Sequence, residues 1–412
     1  GFTPVAASTR YTAATAVRAD FNHWDVYGRG WYGRYPGAWA ATGWAAGAAW
    51  RTCAWGTCAS YCGYSETPPV YYDYGNDAGA ARLLATLDEF GMDGLDGAAE
   101  LIIGNSRDAM AAEIRKLPRG SWRNAMRIDG YDEPVDLVCR LTIGDDGIDV
   151  DFDGTSPVCA HGINVPLTYT QAYASFGARC VIGNDIPNNA GSLGVIRVTA
   201  PQGCILNAPR PAAVSARHAI GQMLPDVVLG CLEEPLDGQV PVEGAACLYG
   251  PVFLGGRGFM PGSDSEPFVM NAFYAGGTGA RPGKDGLSAT AFPSGVRSTP
   301  VEITENASPL VMWRKEYRPG SGGAGRYRGG LGQVMEFGHI GGEAFAVSKM
   351  FDRVDHPPRG RDGGRDGTPA RVLTNRGNKL KGMGREIIPA GETMILETAG
   401  GGGRGDPAKR DP

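Results

Sequence analysis

The sequence predicts an α+β fold whose C-terminal third is mostly β. Three observations predict it. Helical apolar spacing is confined to a few stretches before residue 233, short apolar runs alternate with Gly- and Pro-rich turns beyond 245, and regular βαβ alternation is missing. The 412 residues allow two or three domains with substantial cores. The expected organisation is an atypical segment over 1–78, an α+β core over 79–245 and a Gly-rich, mostly β part over 246–412.

The elements follow in order. Ala80 to Lys116 reads as two helices, with Leu83, Leu84, Leu87 and Phe90 at helical spacing in the first and Met110, Ile114 and Leu117 in the second. The Gly-Asn-Ser run at 104–106 is expected to separate them, and Pro118 to stop the second. Residues 136–143 and 148–152 alternate apolar and polar around Gly-Asp-Asp-Gly at 144–147, which predicts a β-hairpin. Residues 167–182 and 212–233 read as helices, with strands at 195–199 and 204–206 between them. Further strands are expected at 333–337, 344–347 and 394–397. Glu302 and Glu305 flank a strand-like Ile303 and read as exposed β residues more readily than as an acid/base pair.

Composition narrows the function. With 39 basic against 44 acidic residues the net charge is −5, which gives no electrostatic footprint for nucleic acid or an anionic membrane. A small-molecule partner is the expectation. Glycine, at 64 residues, is about twice its usual ~7% share, with no Gly-X-Y period, and predicts many tight turns. Nine cysteines cannot all pair within one chain, and those beyond residue 130 read as reduced, mostly buried thiols. No apolar run is long enough to cross a membrane and no signal peptide is evident, so a soluble, cytoplasmic protein is expected.

Residues 1–82 contain no Leu, Ile, Met or Lys, yet hold six of the eight Trp and Cys53, Cys58 and Cys62. Three readings compete: an aromatic or membrane-surface segment, an unusual folded one, and translation of part of the stretch out of its proper frame. The cysteine spacing is not that of a zinc ribbon.

Candidate site residues are few. His218 follows Arg217 in an apolar helix, and both could face a cleft near Arg210 to contact an anion or substrate. Arg281 and Lys284 sit in a loop whose glycines permit close backbone approach, a second candidate for substrate contact. Thr278 to Lys284 is not a phosphate-binding loop, because Thr stands where Gly is needed and Asp285 where Ser or Thr would hold magnesium. Structural turns are the preferred reading of the glycine blocks.

Nine blocks then occur in an order that resembles the hydantoinase B / 5-oxoprolinase family. They are Asp153-Gly-Thr-Ser-Pro157, Asn164-Val-Pro166, Ile186-Pro-Asn-Asn-Ala-Gly-Ser192, residues 206–214, residues 275–286, Thr299-Pro-Val-Glu302, Ser321-Gly-Gly-Ala-Gly-Arg326, Arg328-Gly-Gly-Leu-Gly332 and Gly400-Gly-Gly-Gly-Arg-Gly-Asp-Pro407. In the last, Arg404 stands where the family commonly has an aromatic residue. The resemblance implies a multi-layer hydantoinase B-like core. It also implies a hydrolase subunit that opens a cyclic amide or imide with ATP consumed by a separate hydantoinase A-type subunit, hence a hetero-oligomer. A ketone carboxylase subunit, and a non-catalytic scaffold that has lost its metal site, are the alternatives.

The resemblance further implies a divalent metal (zinc, manganese or iron). Its Asp-x-x-His ligand pair matches at Asp20 and His23; the family's other ligands have no counterpart, as if the chain began late. ATP is not expected to bind this chain.

Overall fold

The computed structural model describes residues 78–410 apart from 90, 92 and 93. The chain divides into two compact units, Gly1–Asp96 and Gly97–Pro412. Within the first, helix α1 (Ala78–Glu89) is described. The atypical segment over 1–77, with Asp20, His23 and its three cysteines, lies outside the described residues.

Helix α2 (Asp96–Arg115) runs straight through Gly104-Asn-Ser106. The expected break is therefore wrong. Tertiary packing overrides the weak helix propensity there: Ser106 is buried and accepts a 2.7 Å hydrogen bond from the Asn189 side chain. The same Asn189 caps α4 (Ala190–Gly194) in a capping box with Ser192, and Gly191 lets that helix approach the α2 backbone.

The predicted hairpin is present. Strands β1 (Gly120–Ile128), β2 (Val135–Ile143) and β3 (Ile148–Asp151) are antiparallel, and β4 (Ile196–Thr199) joins β3 in parallel, giving the order β1-β2-β3-β4. Helix α3 (Leu167–Arg179) packs on β4, while α6 (Leu224–Cys231) packs on α3, β1 and β2. The single helix expected over 212–233 is instead two short ones, α5 (His218–Gly221) and α6. Pro225 opens α6, and Gly177 of α3 brings that helix into contact with the Pro225 backbone. Residues 204–206 make one isolated bridge, Pro157 to Cys204, in place of the expected strand.

The remaining strands form a sandwich. One sheet has the order β12-β14-β10-β9 and comprises β9 (Leu310–Tyr317), β10 (Gln333–His339), β12 (Arg371–Thr374) and β14 (Met394–Glu397). The other, β13-β11-β6-β7, comprises β6 (Val252–Gly255), β7 (Phe268–Asn271), β11 (Phe345–Met350) and β13 (Met383–Ile388). The pair β5 (Leu248–Tyr249) and β8 (Tyr274–Ala275) stands beside them. Phe253 meets Phe337 of the other sheet and Phe345 of the neighbouring strand in its own, so an aromatic contact joins the two sheets, and one continuous apolar core runs from α2 to Ala399. Helix α7 (Val301–Ala307) holds Glu302 and Glu305, which are therefore helical and not β residues. Glu305 accepts from the Met312 N–H at 3.0 Å, capping an otherwise open donor of edge strand β9.

The glycine blocks do two different things. Gly283, Gly320 and Gly405 have φ of +68°, +69° and +75°, as tight turns require. The densest runs are not turns. Segments 276–280, 321–331, 358–368 and 399–404 lie side by side, bonded backbone to backbone: Gly401 N–H donates to Gly330 O (3.0 Å), Gly330 N–H to Thr278 O (2.9 Å), and Gly323 N–H to Gly401 O (2.8 Å). A Cβ on Gly277, Gly329 or Gly401 would stand 1.9 Å from a carbonyl oxygen of a neighbouring segment. No side chain fits.

Replacing Gly401 by Ala is expected to cost at least ~3 kcal/mol in denaturant unfolding or to abolish soluble expression, because neither backbone can retreat. Gly104→Ala, in the middle of α2 where a Cβ would meet only the Arg107 guanidinium at an ordinary 3.8 Å, is the control and should be neutral or stabilising by about 0.5–1 kcal/mol. Equal tolerance of the two substitutions would contradict the account.

Candidate functional site

The family blocks mostly bind backbone. Thr155 accepts from Val138 N–H and donates to Val138 O, and Ser156 accepts from Asp136 N–H, tying the Asp-Gly-Thr-Ser-Pro loop to β2. Buried Asn164 donates to Cys159, His161 and Ala213 carbonyls and accepts from Cys159 N–H. Both are clamps. They hold loops in place and leave no polar group over for chemistry.

The glycine bundle, in contrast, delivers charge. Gly402 N–H bonds to Glu243 O and Gly403 N–H to Arg365 O, so the segments carrying Glu243 and Arg359 to Arg365 are fixed to the 399–404 chain. Between them and α6 lies a polar cleft of about 180 Å³, lined by Asn124, Gly230, Glu233, Glu243, Arg359, Gly360 and Arg361. Glu243 is buried and accepts from the Arg359 backbone N–H (3.1 Å) and Nε (2.8 Å), with Arg353 at 3.7 Å. Glu233 pairs with Arg361 and with Arg404 (2.7 Å), which also reaches Asp362 (2.5 Å) and Val240 O. Arg404, the departure from the family pattern, is thus a buried member of an ion network.

Burial pushes the Glu243 and Glu233 carboxyls up, but the facing guanidiniums outweigh it and hold both below the ordinary range. Asp226, on α6, goes the other way. It is fully buried, and burial raises its carboxyl to about 7 despite the Gly244 N–H it accepts at 2.9 Å. Burial likewise raises Asp352 to about 6, with the Asp129 charge acting in the same direction.

The loop between β1 and β2 orients two imidazoles. Asp129 accepts from His356 Nδ1 (2.9 Å) and from the backbone N–H of Val354, Asp355 and His356, and Asp132 meets His161 Nε2 at 2.5 Å with Tyr131 stacked on that ring. These are carboxylate–imidazole pairs on the part-exposed rim of one loop.

The residues expected to contact substrate each make local contacts. Arg217 is exposed and lies over the Tyr169 ring at 5.6 Å, while burial and the Arg217 charge lower the His218 imidazole below its ordinary range. Arg281 donates to Asp285 O at 2.9 Å and pairs with Lys284 through an isolated backbone bridge. Its loop is held by Arg410, which forms two 2.8 Å bonds to Asp285. No hydrogen bond, ion pair or ring contact joins Arg217 or His218 to Arg281 or Lys284. Glu233, Glu243, Arg359 and Arg361 were missed in the sequence, although Arg and Asp alternating with Gly over 359–367 is a pattern no simple turn requires. Among the described residues, no group of three or more His, Cys, Asp or Glu side chains could hold a metal ion. Asp20 and His23, the expected ligands, lie outside the described residues. The six cysteines from 139 onward are free thiols, four of them buried. No described helix is long and apolar enough to cross a membrane.

This mixed α+β fold is shared with proteins of known structure. It covers 81% of the chain in the match to the ATP-dependent caprolactamase from Pseudomonas jessenii (TM-score 0.67, 20% identity, 60% of that chain). Acetone carboxylase in its nucleotide-free structure matches 80% of the chain with a TM-score of 0.65 at 18% identity, over 51% of its own length. The chain belongs to the hydantoinase B/oxoprolinase family, whose model matches residues 74–407. It is 31% identical over 356 residues to the putative D-/L-hydantoinase B subunit of Pseudomonas sp. (strain NS671), covering 81% of this chain and 58% of that protein. It is 28% identical over 349 residues to 5-oxoprolinase 1 of Arabidopsis thaliana, covering 80% of this chain and 26% of that protein. The chain thus spans less than two thirds of the length of each.

Asp226 sets a pH test. Its folded pKa of about 7 lies above the ordinary value of 3.8, so its contribution is fully present below pH ~4 and is lost as pH rises through 7. Asp226→Asn keeps an acceptor for Gly244 N–H and removes the titration. The variant should gain stability over the parent at pH 8, on the order of a few kcal/mol, with the gain shrinking towards pH 4. A pH-independent difference in urea unfolding would contradict this.

Proposed function

We propose that this chain is the hydrolase subunit of an ATP-dependent enzyme that opens cyclic amides or imides of the hydantoin or 5-oxoproline kind. It works with a hydantoinase A-type subunit that binds and uses the ATP. The observation that carries the reading is the family match over residues 74–407. Relatives and structural neighbours named for hydantoins, 5-oxoproline and caprolactam support it, since all three are cyclic amides. The Pseudomonas relative is named as one subunit of its enzyme, which supports a hetero-oligomer.

The chemistry explains why ATP is spent. A lactam carbonyl is a poor electrophile; transfer of the ATP γ-phosphoryl group to its oxygen, with ADP leaving, activates the carbon. Water adds there, the C–N bond breaks as the nitrogen takes a proton, and a second water hydrolyses the resulting acyl phosphate to the open-chain acid and phosphate. The described residues contribute the folded core and the charged cleft, and the Asp129–His356 and Asp132–His161 pairs are the described groups able to orient or move a proton. A divalent ion at Asp20 and His23 is part of the same proposal. A ketone carboxylase subunit is the second reading, favoured by the shared fold with acetone carboxylase.

Co-purifying the chain with an A-type subunit and assaying hydantoin, 5-oxoproline and caprolactam tests the reading. Ring opening should require both chains and ATP, and should proceed without bicarbonate. Turnover of a ketone that depends on bicarbonate would favour the carboxylase instead. No turnover of either class would leave the chain a non-catalytic scaffold.

A further inference from the structure

The cleft beside α6 has more donors than acceptors. All four carboxylate oxygens of Glu233 and Glu243 are already engaged by Arg353, Arg359, Arg361 and Arg404. The two lining guanidiniums are not fully used. Arg359 spends Nε and Nη2, and Arg361 only Nη1, so that Arg359 Nη1 and Arg361 Nε and Nη2 have no hydrogen-bond partner among the described residues. Asn124 Nδ2, which gives one proton to Val227 O at 2.9 Å, has a second to offer. Gly230 makes the room. A Cβ there would stand 1.9 Å from Asn124 Nδ2 and 3.1 Å from Arg361 Nη2, closing the cleft on its surplus donors.

The surroundings are held under strain. Of the non-glycine residues with left-handed φ, Ala246 (+48°), Arg353 (+67°) and Asp362 (+54°) lie on the segments that deliver Glu243, Arg359 and Arg361 or pair with Arg404. Such conformations persist only where surrounding contacts over-determine them, and they cluster at ligand clamps. The ion pairs hold the two guanidinium forks in place before any ligand arrives.

We propose that this cleft is an oxyanion-binding site, which takes a small carboxylate or phosphate group on Arg359, Arg361 and Asn124. Its volume of about 180 Å³ suits a group of that size, and planar guanidinium forks match the paired oxygens of both anions. The assignment rests on the geometry of the cleft and holds whether or not ring opening is the reaction.

Calorimetric titration of the full chain with inorganic phosphate and with acetate, at low chloride, tests it. At least one anion should bind at concentrations on the order of 10 mM or below. Phosphate alone would assign a phosphoryl group, acetate alone a carboxylate. Arg361→Lys keeps a cation beside Glu233 but gives up the fork, and should weaken binding about tenfold or more while the thermal unfolding curve confirms folding. Arg359→Lys, on a half-exposed side chain that leaves the backbone bond to Glu243 intact, is the second variant with the same expectation. The proposal is overturned if neither anion binds the parent chain, or if both folded lysine variants bind as the parent does.

Discussion

At Gly277, Gly329 and Gly401 the backbone of one segment lies where a side chain of another would have to be, and the N–H groups of Gly277 and Gly401 donate to Ala399 O and Gly330 O on neighbouring segments. This close packing of main chain on main chain is what the second unit depends on. It satisfies buried peptide groups without a regular sheet and lets segments 276–280, 321–331, 358–368 and 399–404 converge. Everything at the cleft follows from it, because Glu243, Arg359, Arg361 and Arg404 are carried on those segments or bonded directly to them.

The charge network is the second consequence. A buried carboxylate such as Glu243 is costly unless its attraction to neighbouring cations and its hydrogen bonds offset desolvation. Here Arg353 lies behind it and Arg359 in front, while Arg404 satisfies Glu233 and Asp362 together. The network reaches from α6 to the 404 end of the bundle and holds the cleft open at Gly230. It also explains why this chain tolerates Arg404 in place of an aromatic residue: its charge is met from two sides.

Much of the fold was legible, for identifiable reasons. The hairpin of β2 and β3 announces itself by alternation and a Gly-Asp-Asp-Gly turn, and α3 by apolar spacing after Pro166, because local pattern and tertiary environment agree there. Where they disagree the sequence misleads. Gly104 to Ser106 has poor helix propensity, yet Asn189 reaches Ser106 and the helix continues. Glu302 and Glu305 are three apart, a spacing that suits one helix face, but seven residues is too short a stretch for the period to be read. The cleft was least legible. Its glycines look like turn residues because sequence shows that Cβ is missing without showing what occupies its place. Its charged residues come from stretches more than 100 positions apart that only the bundle joins.

Amide hydrogen exchange on the intact chain tests the central claim most directly. If the glycine segments are the keystone of the second unit, the N–H groups of Gly323, Gly330 and Gly401 should exchange as slowly as those of core strand β10, opening only with global unfolding. Rapid, loop-like exchange at these three glycines while β10 stays protected would contradict it.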